Sequence, residues 1–263
     1  MKKSFWMILF AVAMILSFVS VTSADENGIF SAENFSGTII FTSDYVSDGV
    51  SMSDQDPAVQ GSIDYSHPGT GIFLGLWGSS WDDGGYSNSV ELGVWAGQAG
   101  SLGPLDYDLT LYYWFYPGAK DDGFEFDYFQ AGINLSHTFE NVVLEPTLTI
   151  GYLWSPEYFG EEGVYHKFIG KLSLPLVYGI TLGLEAAHVN IEGGALTGDG
   201  EGMNGGDGYD WEYYRIGLSR DLVAGIDIDL SYYYNSERKF FKTYYDGKGV
   251  ADTRMVFTLS KTF

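Results

Sequence analysis

The chain has 263 residues, of which 45% are hydrophobic and 17% aromatic, so it has ample material to bury and is not expected to be disordered. It contains no cysteine, which excludes disulfides, thiolate metal sites and thiol nucleophiles. Thirteen Lys and Arg residues against 35 Asp and Glu residues give a formal net charge of −22, which repels phosphate backbones and argues against nucleic acid as a partner.

The first 24 residues are predicted to be a secretory signal peptide. Lys2 and Lys3 precede an apolar stretch over residues 5–19, and small residues over 21–24 supply a cleavage site. A retained membrane helix is the alternative, but the stretch is short and no stop-transfer pattern follows it. Residues 25–35 are expected to form a short N-terminal lead. Because no second long apolar run follows, any membrane span must be made of strands.

From residue 36 to residue 263 the apolar positions alternate, which is typical of strands with one apolar and one polar face. The clearest case is residues 226–230, where Ile226, Ile228 and Leu230 alternate with Asp227 and Asp229. We predict about twelve such strands, near residues 36–46, 58–66, 71–80, 88–98, 104–116, 125–137, 141–154, 165–175, 179–190, 210–220, 225–235 and 251–262.

The connections between these strands alternate in length. The gaps at 67–70, 99–103, 138–140, 176–178 and 221–224 are short, whereas those at 47–57, 81–87, 117–124, 155–164, 191–209 and 236–250 are long or acidic. Outer-membrane barrels show this rhythm, with tight periplasmic turns and longer outer loops. The predicted fold is therefore all-β, a transmembrane up-and-down antiparallel β-barrel over residues 36–263. A secreted β-sandwich is the alternative, and it would expose many Leu, Ile and Phe side chains to water.

The aromatic residues and the chain end indicate the surroundings of this barrel. Aromatic runs such as 112–116 and 232–234 lie near strand ends, where a membrane barrel places its two girdles. Phe263 ends the apolar face of the last strand, which Lys261 interrupts. We expect export to the outer membrane of a Gram-negative bacterium. The expected partners are membrane lipid, lipopolysaccharide, small solutes and, through the last strand, the barrel-assembly machinery.

If the apolar rows face lipid, the opposite rows line a lumen. The candidate pore-lining residues comprise nine acids and four bases: Asp44, Asp64, Glu91, Asp106, Asp108, Glu145, Glu185, Asp227 and Asp229 against Lys167, Lys171, Arg215 and Arg254. This balance favours cations, unless the charges pair across the lumen and only fill it. The inward aromatic residues expected to narrow the pore are Trp77, Trp95, Tyr112 and Trp114.

Three functions remain open at this point: a passive channel, a hydrolase on a barrel scaffold, and a closed structural or adhesive barrel. His188, beside the acidic loop, is the best candidate for a hydrolase, but no Gly-x-Ser-x-Gly elbow or spaced His pair supports catalysis. Asp199, Glu201, Asp207 and Asp210 make the Gly-rich loop at 192–212 a calcium candidate, although the spacing matches no known loop motif. We expect a channel without catalytic residues, cofactor or metal.

Several runs of residues are more specific than composition. They are TSDYV at 42–46, GVS at 49–51, PAVQG at 57–61, DYSH at 64–67, WGS at 77–79, YYW at 112–114, YPG at 116–118, SPEYFG at 155–160, GLSRDL at 217–222 and FTLSKTF at 257–263. They resemble the TorF-like family of outer-membrane porins, also described as a proteobacterial family of unknown function. The resemblance implies a channel-type β-barrel and supplies no catalytic residues. One difference is that Ser47 and Asp48 stand where the family usually has an aromatic-Arg pair; if that Arg attracts anions to the mouth of the related barrels, this chain has an acid in its place.

Overall fold

The structure of the protein is a computed structural model that describes residues 28–82, 89–119, 126–159, 163–193, 208–244 and 247–263. The predicted signal peptide at 1–24 and the loop acids Asp199, Glu201 and Asp207 lie outside the described residues. Within the described part of the lead, Ala32–Asn34 form a 3-10 turn. The Asn34 side-chain amide donates to the carbonyl oxygens of Gly28 and Ile29 there.

The described residues from Phe35 onward form fourteen strands and one short helix. The strands are β1 (Phe35–Thr42), β2 (Val46–Ser47), β3 (Val50–Ser51), β4 (Ala58–Ser66), β5 (Ile72–Ser80), β6 (Val90–Leu102), β7 (Leu105–Phe115), β8 (Tyr128–Thr138), β9 (Thr147–Tyr158), β10 (Gly163–Pro175), β11 (Ile180–Glu192), β12 (Tyr209–Asp221), β13 (Ile226–Asn235) and β14 (Arg254–Thr262). The helix α1 spans Arg238–Tyr244. Of the helices in the described ranges, none has the length and apolar character needed to cross a membrane.

Strand β1 and strands β4 to β14 close into one antiparallel barrel of twelve strands, which confirms the predicted fold class. Each strand from β4 onward pairs with the next along the chain, so the order is up-and-down. The first and last strands meet at a seam where Phe41 stands opposite Leu259 and Thr38 opposite Thr262. Closure leaves no free strand edge, so the backbone hydrogen-bonding groups are satisfied between neighbouring strands.

The outer face of the barrel is apolar. Apolar and polar residues alternate along each strand, so every second side chain lies on this face. Ile63, Phe168 and Met255 are 60%, 58% and 57% exposed, and each is followed by a residue that points to the inside. A water-soluble domain rarely exposes a continuous apolar surface of this kind. The outer wall is therefore suited to hydrocarbon, as in a membrane barrel.

The two ends of the barrel differ in the length of their connections. At the short-turn end, the β10–β11 and β12–β13 connections each place two residues in the left-handed region, Tyr178 with Gly179 and Ala224 with Gly225. Such turns match the right-handed twist of the strands they join. The opposite end, here the long-loop end, carries the connections at 43–57, 81–89, 116–127, 159–162, 193–208 and 236–253.

One predicted strand begins later than the sequence indicated. The expected strand over 141–154 starts in the structure at Thr147, and residues 139–146 form the β8–β9 turn. Leu144 and Glu145 have φ angles of 71° and 41° in this turn. Pro146 lacks an N–H for strand pairing, and its carbonyl oxygen instead accepts the Phe139 N–H at 2.9 Å, which closes the turn.

Candidate functional site in the barrel lumen

The structure places most of the predicted pore-lining residues on the inner face of barrel strands, because they alternate with the exposed apolar residues. These are Asp64, Glu91, Asp106, Asp108, Lys167, Lys171, Glu185, Arg215, Asp227, Asp229 and Arg254. Asp44 lies just beyond the end of β1 and is buried. Glu145 is an exposed turn residue at the short-turn end, so its expected position on a strand is wrong.

All four inward basic side chains are held by acids. Lys167 Nζ lies 2.8 Å from Asp48, and Arg215 Nη2 lies 2.7 Å from Asp229. Lys171 Nζ lies 3.8 Å from Glu185, and Arg254 Nη1 lies 2.5 Å from Asp44. The pairing that the sequence left as an alternative therefore holds for each of these four bases, and within the described ranges no inward base is left unpaired to attract anions.

Five inward acids at the short-turn end have no such partner among the basic side chains that the structure describes. Asp64 accepts a hydrogen bond from Ser62 at 2.7 Å, Asp106 from Ser101 at 2.6 Å and Asp108 from Thr110 at 2.7 Å. Asp227, at the start of β13, stands opposite Asp221 at the end of β12 on the same inner face. Hydroxyl donors do not cancel a carboxylate charge, so this end of the lumen, here the acidic vestibule, is negative.

The long-loop end is filled by a hairpin that the sequence did not predict. Residues 46–51, here the plug hairpin, pair β2 with β3 through a two-residue turn in which Asp48 and Gly49 have φ angles of 50° and 76°. A Cβ atom on Gly49 would come within 2.5 Å of the Tyr213 Cβ atom. The hairpin tip therefore rests directly on the inner face of β12, and only glycine fits at that contact.

Asp48 joins the tip of the plug hairpin to the wall of the barrel. Its carboxylate accepts hydrogen bonds from Tyr165 Oη at 2.7 Å and Lys167 Nζ at 2.8 Å, and its carbonyl oxygen accepts one from Trp211 Nε1 at 2.8 Å. The Asp48 side chain is 9% exposed. Val50 packs beside it in a buried cluster with Tyr165 and Trp211. The sequence comparison singled out Asp48 only as a departure from a family pattern.

Asp44 anchors the base of the plug hairpin. Its carboxylate accepts hydrogen bonds from Ser51 Oγ at 2.6 Å, Ser53 Oγ at 3.1 Å and Arg254 Nη1 at 2.5 Å. Arg254 also donates to the carbonyl oxygens of Gly249 and Val250, so one guanidinium links the hairpin, β14 and the last long loop. Asp44 and Arg254 thus form a buried structural ion pair and do not line an open pore.

We expect Arg254→Met to lower the free energy of unfolding by about 3–5 kcal/mol, because it leaves the Asp44 carboxylate buried without its counter-charge. Urea unfolding of the protein in lipid vesicles, followed by tryptophan fluorescence, measures the change. The double variant Asp44→Asn with Arg254→Met should lose less than Arg254→Met alone. Arg238→Met, which removes an exposed guanidinium, is the matched control; equal losses in both arginine variants would contradict the assignment.

A cavity of about 270 Å³ lies between the plug hairpin, the wall formed by β6 to β10, and Trp211 of β12 with Phe241 of α1. Glu91 is 3% exposed at this cavity and accepts hydrogen bonds from Tyr45 Oη at 2.7 Å and Tyr116 Oη at 2.8 Å. Burial, reinforced by the nearby Glu91 charge, raises the pKa of Tyr45 and of Tyr116 well above the ordinary value. Both phenols therefore stay protonated and keep donating to the carboxylate.

The four predicted constriction residues all lie on the inner face of strands β5 to β7. They are Trp77, Trp95, Tyr112 and Trp114. Trp114 and Tyr112 line the cavity beneath the plug hairpin, so the aromatic residues and the hairpin approach each other inside the barrel. The narrowing therefore combines side chains, which the sequence predicted, with a backbone segment, which it did not.

His188, the candidate residue for the hydrolase alternative, lies on the outer face of β11. One ligand atom from each of His188, Asp210 and Glu212 lies within 4.8 Å of the others. His188 Nδ1 is 3.3 Å from Glu212 Oε1, and both side chains are nearly half exposed. This cluster is separated from the lumen by the barrel wall, so it takes no part in the candidate site.

Comparisons with known proteins agree with the fold. A family model described as a bacterial protein of unknown function (Gcw_chp) matches residues 26–263. Among solved structures, the KdgM porin has a TM-score of 0.53 at 10% identity, with 87% of this chain and 99% of that chain covered. The NanC porin has a TM-score of 0.51 at 10% identity, with 87% and 98% covered. A comparison with curated proteins finds no match. At these identities the likeness is one of fold, and the fold is that of porins.

Proposed function

This chain belongs to the Gcw_chp family of bacterial proteins of unknown function, and from that premise we propose that it is an outer-membrane channel for passive diffusion of small polar solutes, with a preference for cations. The apolar outer wall and the closed twelve-strand barrel support a membrane-spanning role. The finer assignment to the TorF-like porins is part of the same proposal and rests on the residue runs described above.

The charge distribution of the lumen is the observation that supports the proposed preference for cations. Each inward base of the described residues is paired with an acid, whereas Asp64, Asp106, Asp108, Asp221 and Asp227 have no basic partner in the acidic vestibule. A narrow, low-dielectric passage lined by one sign of charge concentrates ions of the opposite sign. Cations are therefore expected to enter more readily than anions of the same size.

The orientation and partners in this proposal follow from the two different ends of the barrel. Tight turns lie at the periplasmic end of outer-membrane barrels, which would place the acidic vestibule on the periplasmic side and the plug hairpin at the cell surface. Export by the signal peptide at 1–24, lipid and lipopolysaccharide around the wall, and recognition of Phe263 by the barrel-assembly machinery belong to the same proposal. Phe263 is 73% exposed and therefore accessible to such a partner.

Planar-bilayer recording of the purified full-length protein tests the channel. We expect discrete conductance steps and, across a KCl gradient, a reversal potential on the side that indicates K⁺ selectivity. A preparation of the heat-denatured protein serves as the control for detergent leaks. Folded protein that gives no conductance steps at any voltage would contradict the proposal.

A closed structural or adhesive barrel is a second candidate, and the buried contacts of the plug hairpin favour it. It predicts that protein-loaded liposomes do not swell in small sugars, whereas the channel predicts swelling. A hydrolase has no comparable support: His188 faces away from the lumen, and the proposal assigns no catalytic residue.

A further inference from the structure

Three aromatic rings lie flat against the inner wall of β5, β6 and β7, because each stands directly opposite a glycine on the neighbouring strand. The pairs are Phe73 with Gly97, Trp95 with Gly75 and Trp114 with Gly93. A Cβ atom on Gly93 would lie 2.6 Å from Trp114 Cζ3, and at Gly75 and Gly97 the clash with the ring would be closer still. Each ring thus rests one face on glycine backbone and turns the other face toward the lumen.

Tyr112 extends this surface between the two tryptophans. Its ring is within 10° of parallel to Trp114, with centroids 6.0 Å apart, and lies 6.4 Å from the Trp95 ring. Trp114 Nε1 donates to Gln130 Oε1 at 2.9 Å, which fixes the plane of the indole. The four residues Phe73, Trp95, Tyr112 and Trp114, here the aromatic wall, run along about 13 Å of strand β6 toward the cavity at Glu91.

The opposite side of the lumen carries paired charges beside the inward residues Tyr213 and Tyr233. Strand β12 lies six places from β6 in the closed order of twelve strands. It carries Arg215, which pairs with Asp229 on β13, and the neighbouring strands carry the Lys171 and Glu185 pair. These side chains are 15–51% exposed, so they present hydrogen-bond donors and acceptors to the lumen. One side of the passage is therefore a row of aromatic rings, of which Trp95 is tilted by 57° to Tyr112, and the other side carries the paired charges.

We propose that the lumen binds neutral oligosaccharides, whose sugar rings slide along the aromatic wall; this inference rests on the proposed function, since it treats the lumen as a path for solutes. A sugar ring has an apolar C–H face that stacks on an aromatic face and a rim of hydroxyls that hydrogen-bonds to ionic side chains. Acidic sugars are disfavoured by the unpaired carboxylates of the acidic vestibule. Organic cations also bind aromatic faces and are the competing class of ligand.

The test is block of the K⁺ current through the full-length protein in planar bilayers by maltotriose. We expect a concentration-dependent decrease in current with the wild type. Trp95→Ala and Trp114→Ala should each raise the half-blocking concentration about threefold to tenfold, because each removes one stacking surface. Trp95→Phe should recover most of the block, since a flat ring is restored. Phe168→Ala, which removes an exposed ring from the outer face, is the matched control and should leave the block unchanged.

The outcomes separate this inference from the proposed function. Absence of any conductance overturns both. A cation-selective conductance that maltotriose does not block, or whose block is the same in Trp95→Ala and Phe168→Ala, overturns only the sugar-binding inference. Block by tetraethylammonium that depends on Trp95 and exceeds the maltotriose block would show that the aromatic wall binds cations instead. Heat-dependent gel migration of each variant verifies that the barrel is folded.

Discussion

Removal of the plug hairpin is expected to raise the single-channel conductance severalfold. The variant replaces residues 46–51 with two glycines, which withdraws the hairpin backbone from the lumen and leaves Phe241 and Val250 among the remaining residues of the buried cluster there. Asp48 and Val50 would leave the buried cluster at the long-loop end, and the space they fill would become water. Planar-bilayer recording in KCl measures the step size directly.

Smaller changes show whether the hairpin is held by its tip. Asp48→Ala removes the acceptor for Tyr165 and Lys167 and leaves the Lys167 ammonium 17% exposed without its counter-charge. We expect longer or more frequent openings in Asp48→Ala and partial restoration in Asp48→Ala with Lys167→Met. Asp54→Asn breaks a more exposed ion pair, with Lys248 in the last long loop, and serves as the control. Unchanged conductance in a folded hairpin deletion would show that the constriction lies elsewhere.

Replacement of the acids of the acidic vestibule is expected to remove the cation preference. Asp64, Asp106, Asp108, Asp221 and Asp227 changed together to Asn should bring the reversal potential in a KCl gradient close to zero, because these are the inward acids at that end that no described base pairs. Changing them to Lys should reverse its sign. The effect should shrink at 1 M salt, where the Debye length is about 3 Å.

The control for this experiment changes charged residues without changing the net charge. Lys171→Met with Glu185→Gln removes one inward pair of opposite charges, so selectivity should stay at the wild-type value. If neutralising the pair alters the reversal potential as much as neutralising the vestibule does, selectivity arises from the pairs and the assignment is wrong.

The strands could be predicted because their signal is local. Side-chain alternation in a run such as 226–230 already states which residues face out, and the structure confirms that Leu230 is exposed while Ser231 is buried. The failure at Leu144 and Glu145 has an equally local cause: Pro146 and two residues with positive φ replace the strand by a turn. The alternation of apolar and polar residues does not reveal a proline that interrupts the strand pairing.

The plug hairpin shows the limit of the same reasoning. Asp48-Gly49 between two Val-Ser pairs is a recognised two-residue hairpin signal, so the turn itself was readable in the sequence. The position of the hairpin inside the barrel could not be predicted from the sequence. It depends on the contacts of Asp48 with Tyr165, Lys167 and Trp211, which are more than a hundred residues away along the chain. The pairing of each inward base was likewise an open alternative, since partners across a barrel follow from register and not from local pattern.

The contacts of the plug hairpin also set an order of folding. Asp44 bonds to Arg254, 210 residues later, and Asn235 bonds to Gly49, 186 residues earlier. Neither contact can form before β13 and β14 are in place, and distant contacts of this kind form late because a long loop must close first. The contacts of Asp48 with β10 and β12 need neither of these last strands, so the tip of the hairpin can dock first and its base is fixed only as the barrel closes.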